Sequence, residues 1–349
     1  MEFHEALAGG SKGVEVEWEG DAGEFALESL SPYETINFEN RPNPLTASRG
    51  TYSIHHEGGM DKQSAFYRIT NELGAPDYEH DGVAIYNRDC VGGMNAIAPG
   101  VVDLTVTSPP YNIGKEYESS MSLQDYVNWS ESWIKAVHRL TCSGGSFWLN
   151  LGYVSIEGRA RAIPLPYLLW DRIPFYLMQE IIWHYGAGVA ARQAFSPRNE
   201  KFLWYVKSPD TYTFNLDEIR DPDVKYPNQK KNGKLKCNPL GKNPSDVWIL
   251  PKVTSGTNRS SKERTAHPAQ FPVAVIERII RASSNPGDVI LDPFMGSGTT
   301  ALVASKLGRR VIGFEVSSRY VEVAISRLEG DMEEQRIADS QVDLFDVSA

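Results

Sequence analysis

The sequence is poor in cysteine. Its 349 residues hold three, Cys90, Cys142 and Cys237, widely spaced and without a CxxC pair. That pattern supports neither a disulfide framework nor a zinc knuckle, and no metal is expected. Long apolar runs are missing too. The stretch Ile163–Trp170 is short and interrupted by Pro164 and Pro166, whereas a membrane span needs about 20 apolar residues. The first residues, Met1-Glu-Phe-His-Glu-Ala, lack the basic start and apolar core of a secretory leader, so the expected setting is a reducing cytoplasm with no membrane contact. Net positive charge is absent as well: 35 Lys and Arg stand against 45 Asp and Glu, a net of −10. A uniformly basic nucleic-acid binder is thereby excluded, although an average hides local patches.

With 41% hydrophobic and 23% charged residues, the chain is ordinary globular material rather than collagen, coiled coil or wholesale disorder. At roughly 150 residues per domain, its length fits two domains or one large α/β domain with an insertion. Charge is segregated along it. Residues 1–60 carry 11 acidic and 3 basic residues, and residues 329–349 carry 7 and 1. Residues 186–266 reverse the balance, with 15 Lys and Arg against 8 Asp and Glu, interleaved with Asn, Gln, Ser and Pro. Such a segment suits a polyanion, because Lys and Arg on phosphates release counterions. A solvated basic loop has the same composition.

Residues 1–60 read as an acidic, poorly ordered extension. Beyond them, strand-like runs fall at Val83–Asn87, Val101–Thr107, Ser146–Leu151, Gln179–Tyr185, Phe202–Val206, Asp288–Leu291 and Arg310–Glu315. Helical periodicity appears at Leu123–Thr141, Pro272–Ser283, Thr299–Leu307 and Ser318–Leu328, the last followed by a charged tail. Alternation of this kind predicts βαβ units and a mostly parallel sheet. Residues 208–265, rich in Pro, Asn and Lys, break it and read as a loop-rich insertion rather than sheet core.

Two constellations carry chemistry. The first, Asp288-Val-Ile-Leu-Asp-Pro-Phe-Met-Gly-Ser-Gly-Thr-Thr-Ala301, is a strand, a tight Gly turn and a helix start. Gly296 and Gly298 leave room for a ligand against the backbone. Glu315 ends the next strand, 17 residues after Gly298, where an acid typically accepts hydrogen bonds from a ribose diol. Gly296-Ser-Gly-Thr-Thr-Ala301 also satisfies GxGxx(G/A), so a nicotinamide-dependent oxidoreductase is a rival reading of this stretch. A dinucleotide fold normally opens with this unit, yet only 34 residues follow Glu315. The other strands must come from upstream, which makes the sheet circularly permuted. The second constellation is Asp103-Leu-Thr-Val-Thr-Ser-Pro-Pro-Tyr111. Its two prolines stiffen the backbone and leave carbonyls free as acceptors. Ser108 adds a hydroxyl and Tyr111 a flat face, an arrangement suited to a planar group bearing an amine. Prolines at a strand end also serve simply as a stop.

Ser108-Pro-Pro-Tyr111 followed by Asp292-Pro-Phe-Met-Gly-Ser-Gly298 resembles the β class of DNA amino-methyltransferases, most of all its N4-cytosine members. Further matches fall in order at Val83–Cys90, Gly144–Asn150, Asn199–Lys207, Asp246–Ile249 and His267–Pro272, so that the likeness covers roughly residues 80–330. It implies an α/β, Rossmann-like class I methyltransferase sheet, circularly permuted, in a bacterial or archaeal cell. Residues 61–207 form the catalytic half, 208–265 the target-recognition region and 266–330 the cofactor half; 1–60 and 331–349 are an acidic extension and an acidic tail. The methyl donor is S-adenosylmethionine and the substrate double-stranded DNA, within restriction-modification, where a monomer and a homodimer are both workable.

The resemblance carries catalysis to Ser108, Pro109, Pro110 and Tyr111. It carries cofactor contacts to Asp89, Cys90, His267, Pro268, Phe271, Asp292, Pro293, Phe294, Gly296, Gly298, Thr299, Glu315 and Val316. Arg192, Arg198, Lys230, Lys231, Lys234, Lys236, Arg259 and Arg264 become the DNA-facing side chains. Ser-Pro-Pro-Tyr accompanies cytosine N4 more often than adenine N6, which remains the alternative. Methylation at cytosine carbon 5 needs a Pro-Cys nucleophile, and no cysteine here follows a proline. Some cytosine-type members have an acid near Asn150; an amide cannot serve as that base, so the resemblance implies water, or no general base, here.

Overall fold

The computed structural model describes residues 62–112, 121–186, 188, 190–253 and 263–346, with side chains to residue 334. The acidic extension therefore lies outside the described residues. Helices are α1 Lys62–Leu73, α2 Cys90–Ala96, α3 Leu123–Leu140, α4 Leu165–Leu168, α5 Val273–Ser283, α6 Thr299–Lys306 and α7 Ser318–Asp346. Strands are β1 Tyr78–His80, β2 Val83–Tyr86, β3 Val102–Thr107, β4 Thr141–Leu151, β5 Tyr153–Ile156, β6 Ala160–Pro164, β7 Tyr176–His184, β8 Asn199–Val206, β9 Lys230–Lys231, β10 Lys234–Leu235, β11 Val247–Ile249, β12 Val289–Asp292 and β13 Arg310–Phe314.

Nine of these strands form one sheet in the order β1-β2-β13-β12-β3-β4-β8-β7-β11. From β2 to β4 all pairings are parallel, while β8 runs antiparallel to both β4 and β7. Strands β2, β3 and β12 are buried at every position, as a parallel sheet requires when helices cover both faces. On one face lie α1, α2 and α3, through Phe66, Met94, Trp133 and Val137. On the other lie α5, α6 and α7, through Ile276, Ile279, Val303 and Ala324. The sheet is mixed but mostly parallel, with the chain's last two strands, β12 and β13, filling its centre, which is the permutation expected.

Helix α3 shows how the sequence secures an element. Ser122 caps it by accepting from the Asp125 N–H at 3.1 Å, and its apolar stripe of Tyr126, Trp133, Ile134, Val137 and Leu140 is buried. From its last turn, Arg139 donates to the Met94 and Ile97 carbonyls at 2.6 and 2.7 Å, satisfying the frayed end of α2.

Three expectations are corrected. The insertion contributes to the sheet after all: β11 pairs in parallel with β7, because burying Trp248 between Trp148 and Phe202 (ring centroids 5.8 and 6.5 Å) outweighs the polar composition around it. The charged tail is not separate, for α7 runs on to Asp346; Glu, Gln, Arg and Met are good helix formers that extend a helix already started. Finally, the lysine-rich stretch is a β-hairpin rather than a loop. Strands β9 and β10 flank Asn232 and Gly233, at φ 53° and 76°, the two-residue turn that Asn-Gly favours. Among the described residues no helix is long and apolar enough to cross a membrane.

Candidate active site

The chain leaves β12 for α6 on one face and β3 for α3 on the other, so a cleft opens at the carboxyl ends of these adjacent strands. It holds a cavity of about 550 Å³, within the ~300–1,000 Å³ usual for small-molecule sites. Ser108, Pro109, Pro110 and Tyr111 line it together with Asp89, Cys90, His267, Phe271, Asp292, Pro293, Phe294, Gly296, Thr299, Glu315 and Val316. Two constellations separated by about 180 residues of chain thus share one chamber.

Two expected members stand apart. Gly298 sits behind the turn at φ 73°, where a Cβ would lie 2.9 Å from that of Ala324; it lets α7 pack closely. Pro268 is exposed and does not line the cavity. Conversely, Tyr126 and Trp129 of α3 form a wall that composition did not reveal. Trp129 and Trp133 hold the Phe294 ring at centroid distances of 5.6 and 5.3 Å. Arg319 and Tyr320 at the start of α7 complete the lining.

At the Gly turn, Glu315 acts as an anchor. Its two carboxylate oxygens accept the Gly296 and Ser317 N–H groups at 2.9 and 2.8 Å. Burial pushes this carboxyl above its usual range, while the same N–H groups oppose the shift. Gly296 adopts φ 53°, and a Cβ there would lie 2.9 Å from His267 Nε2. The Ala269 N–H donates to His267 Nδ1 at 3.2 Å, and burial lowers the ring's pKa. The imidazole is therefore neutral, with its proton on the Nε2 that faces the turn.

Asp292 links the two strand ends, accepting from Thr107 Oγ1 at 2.8 Å and from the Phe294 N–H at 3.2 Å. Burial raises its pKa to about 6. Such a group holds its proton more tightly folded than unfolded, where it titrates near ~3.9. Its contribution to stability is full below about pH 4 and is lost as pH rises through about 6, at up to about 1.4 kcal/mol per pH unit. Asp292→Asn keeps the Thr107 and Phe294 contacts, which share one oxygen, turns its NH₂ toward the Thr300 hydroxyl that also bonds the carboxyl, and removes the titration. The difference in denaturation free energy between the two proteins is expected to drift from pH 4 to 6 and to be level above it.

The Ser108 corner is a network of two hydroxyls and an amide that ends on a buried carboxyl, Glu200, which shares a hydrogen bond with Asn150 and which burial pushes above its usual range. Tyr111 Oη donates to Asn150 Oδ1 at 2.5 Å, and Asn150 Nδ2 donates to the Lys201 carbonyl at 2.9 Å, which fixes the amide's orientation. With the tyrosine proton committed, Ser108 is the donor in its contacts with Tyr111 Oη at 2.8 Å and Asn150 Oδ1 at 3.3 Å. Ser108 lines the cavity, and a hydroxyl that donates still has lone pairs to offer as an acceptor. The buried Tyr126 hydroxyl occupies the Pro110 carbonyl at 2.7 Å. Cys90 also lines the cavity, but burial pushes its thiol up to about 12, so it is no nucleophile at neutral pH.

On the DNA-facing list, Lys230, Lys231, Lys234 and Lys236 are exposed and cluster on or beside the hairpin. Lys231 and Lys234 stand directly opposite each other, a repulsive pair that an anion relieves. Arg192 and Arg264 are exposed, and Arg198 is half-buried at the base of the β7–β8 loop. Arg259 lies outside the described residues.

A permuted parallel sheet with a Gly turn, a carboxylate anchor and a proline-stiffened acceptor at its switch point defines an α/β methyltransferase. Comparison with known proteins narrows the class: residues 102–326 match the family model described as DNA methylase, of the N6 and N4 type. The chain belongs to that family, whose methyl donor is S-adenosylmethionine, and it is a DNA methyltransferase. It is 60% identical to the Type II methyltransferase M.ScaI of Streptomyces caespitosus over 263 residues, covering 75% of this chain and 86% of that one. It is 32% identical to the DNA adenine methyltransferase YhdJ of Escherichia coli K12, covering 72% and 84%. Among solved structures it resembles the cytosine-N4-specific PvuII DNA methyltransferase, with a TM-score of 0.58 at 21% identity, covering 72% and 88%. Membership sets aside the nicotinamide reading, which also left Ser108–Tyr111 without a role.

Proposed function

We propose that the protein methylates the exocyclic N4 of a cytosine turned out of duplex DNA at a specific site, as the modification enzyme of a restriction-modification pair. The observation that carries this reading is the Ser108 hydroxyl, which is hydrogen-bonded to Tyr111 and Asn150 and lines the chamber shared with the Gly turn. An exocyclic amine is a poor nucleophile because its lone pair is delocalised into the ring. Ser108 Oγ and the Pro109 carbonyl accept its two N–H bonds and draw the nitrogen toward tetrahedral geometry, while Tyr111 stacks on the base. The gain comes from positioning and desolvation. The base must leave the stack to reach this depth.

The cavity's chemistry fits S-adenosylmethionine. Glu315 suits the ribose diol, Asp89 the adenosine end and the His267–Phe271 segment the methionine end, with Phe294 and the Gly296 turn between them. Bound there, the cofactor supplies a methyl group on a cationic sulfur, and the carboxylates of Asp89, Asp292 and Glu315 suit that charge. Residues 208–265 act as the recognition region, with the hairpin lysines on phosphates and Arg192, Arg198 and Arg264 on phosphates or guanine edges. Cytosine is favoured by Ser-Pro-Pro-Tyr, and the Type II name of the M.ScaI relative supports the restriction-modification setting. The likeness to YhdJ supports adenine N6 as the second reading.

Incubation with mixed-sequence duplex DNA and methyl-labelled S-adenosylmethionine, followed by digestion to nucleosides, decides between them. Label on N4-methylcytosine is expected. Label on N6-methyladenine would replace the base assignment and keep the fold, cofactor and pocket.

A further inference from the structure

The loop between β7 and β8 carries an aromatic ring with nothing against it: Phe195 is 102% exposed. The loop is nevertheless shaped. The Tyr185 N–H donates to the Arg198 carbonyl at 2.9 Å across its base, and the Ala191 N–H donates to Ser196 Oγ at 3.0 Å across its tip. Arg192, exposed, and Arg198, half-buried, stand on either side of the ring in sequence.

Register places this loop beside the chemistry. Asn150, which holds Ser108, lies opposite Phe202 in the β4–β8 ladder, and β8 begins at Asn199, opposite His184. The loop thus springs from the carboxyl edge of the sheet three residues beyond the level of Asn150, or about 10 Å at ~3.3 Å per residue. An apolar side chain held out at a catalytic edge between two arginines has the chemistry of a wedge: a flat face for stacking and flanking cations for phosphates.

We propose that Phe195 enters the duplex and fills the space left by the target base when that base turns into the Ser108 pocket, with Arg192 and Arg198 on the neighbouring phosphates. The inference rests on the duplex reading above. It explains why an aromatic ring is kept in water here: the ring's stacking surface is completed by DNA. Proteins that unstack DNA insert Phe, Leu, Ile or Met for this purpose.

The test compares wild type with Phe195→Ala and Phe195→Trp on two duplexes bearing the mapped methylation site. One is fully paired. In the other, the nucleotide opposite the target base is abasic, so the target is already unpaired. Phe195→Ala is expected to lose tenfold or more in kcat/KM on the paired duplex and to come within about threefold of wild type on the abasic one. Phe195→Trp should retain most activity on both, and the Kd for S-adenosylmethionine should be unchanged in all three proteins. Full activity of Phe195→Ala on the paired duplex would overturn the wedge, and so would an equal loss on both duplexes, which marks a loop contact or a folding defect. A wild-type enzyme that binds the cofactor but methylates only single strands would remove the duplex reading and the wedge with it.

Discussion

Ser108→Ala is expected to lower methyl transfer by roughly 10²–10³-fold, the scale of losing one preorganised hydrogen-bond partner at a reacting centre. Its effect should fall on kcat, because the serine's lone pairs matter most as the amine becomes tetrahedral. Alanine leaves the Tyr111–Asn150 bond of 2.5 Å in place, and the Gly turn lies on another strand, so the Kd for S-adenosylmethionine should stay within about twofold of wild type. Single-turnover transfer to duplex DNA with saturating cofactor provides the measurement. Transfer undiminished in Ser108→Ala would show that the serine is not the amine's acceptor.

Glu315→Gln should be nearly as damaging as Glu315→Ala, although it is isosteric. Both carboxylate oxygens accept a backbone N–H, one from Gly296 and one from Ser317, and an amide has a single oxygen to offer. Its NH₂ would face one of those donors. Each buried N–H left without an acceptor costs about 1–3 kcal/mol, and the cost falls on the turn that shapes the cofactor's seat. Cofactor Kd is expected to rise by about 10²-fold in either variant, with a fall in Tm, as read by calorimetric titration and thermal melting. A glutamine variant that bound the cofactor like wild type would remove Glu315 from the site.

How much of this was legible in the sequence depends on the range of the interaction. The Gly296–Gly298 turn, the strand before it and the acid ending the next strand are local patterns, and they fold as their spacing predicts. So does α3, whose stripe is set by the 3.6-residue period. What the sequence hides is set by register between distant strands. Asn150 reaches Ser108 only because β4 lies parallel to β3 with Leu149 opposite Thr107, and no spacing rule connects positions 42 residues apart. Tyr126 and Trp129 are visible as helix-face residues, yet which of them line a chamber depends on where that face meets the sheet. Strand β11 escaped notice because it is three residues long with one buried side chain. The Lys hairpin did carry a signal, Asn232-Gly233, outweighed by the polar residues around it.

The placement of β13 between β12 and β2 has a consequence for synthesis. Val311 pairs with Val83, so the slot between β2 and β3 stays vacant while most of the protein is made. At ~5–20 residues per second on the ribosome, the interval between the emergence of β3 and that of β12 is on the order of 10–40 s. Throughout it the nascent chain carries two apolar strands with unfilled edges. The segment from residue 289 onward joins both halves of the sheet and brings the Gly turn that lines the cavity with it, so a chain cut short before residue 289 lacks that wall of the proposed cofactor site.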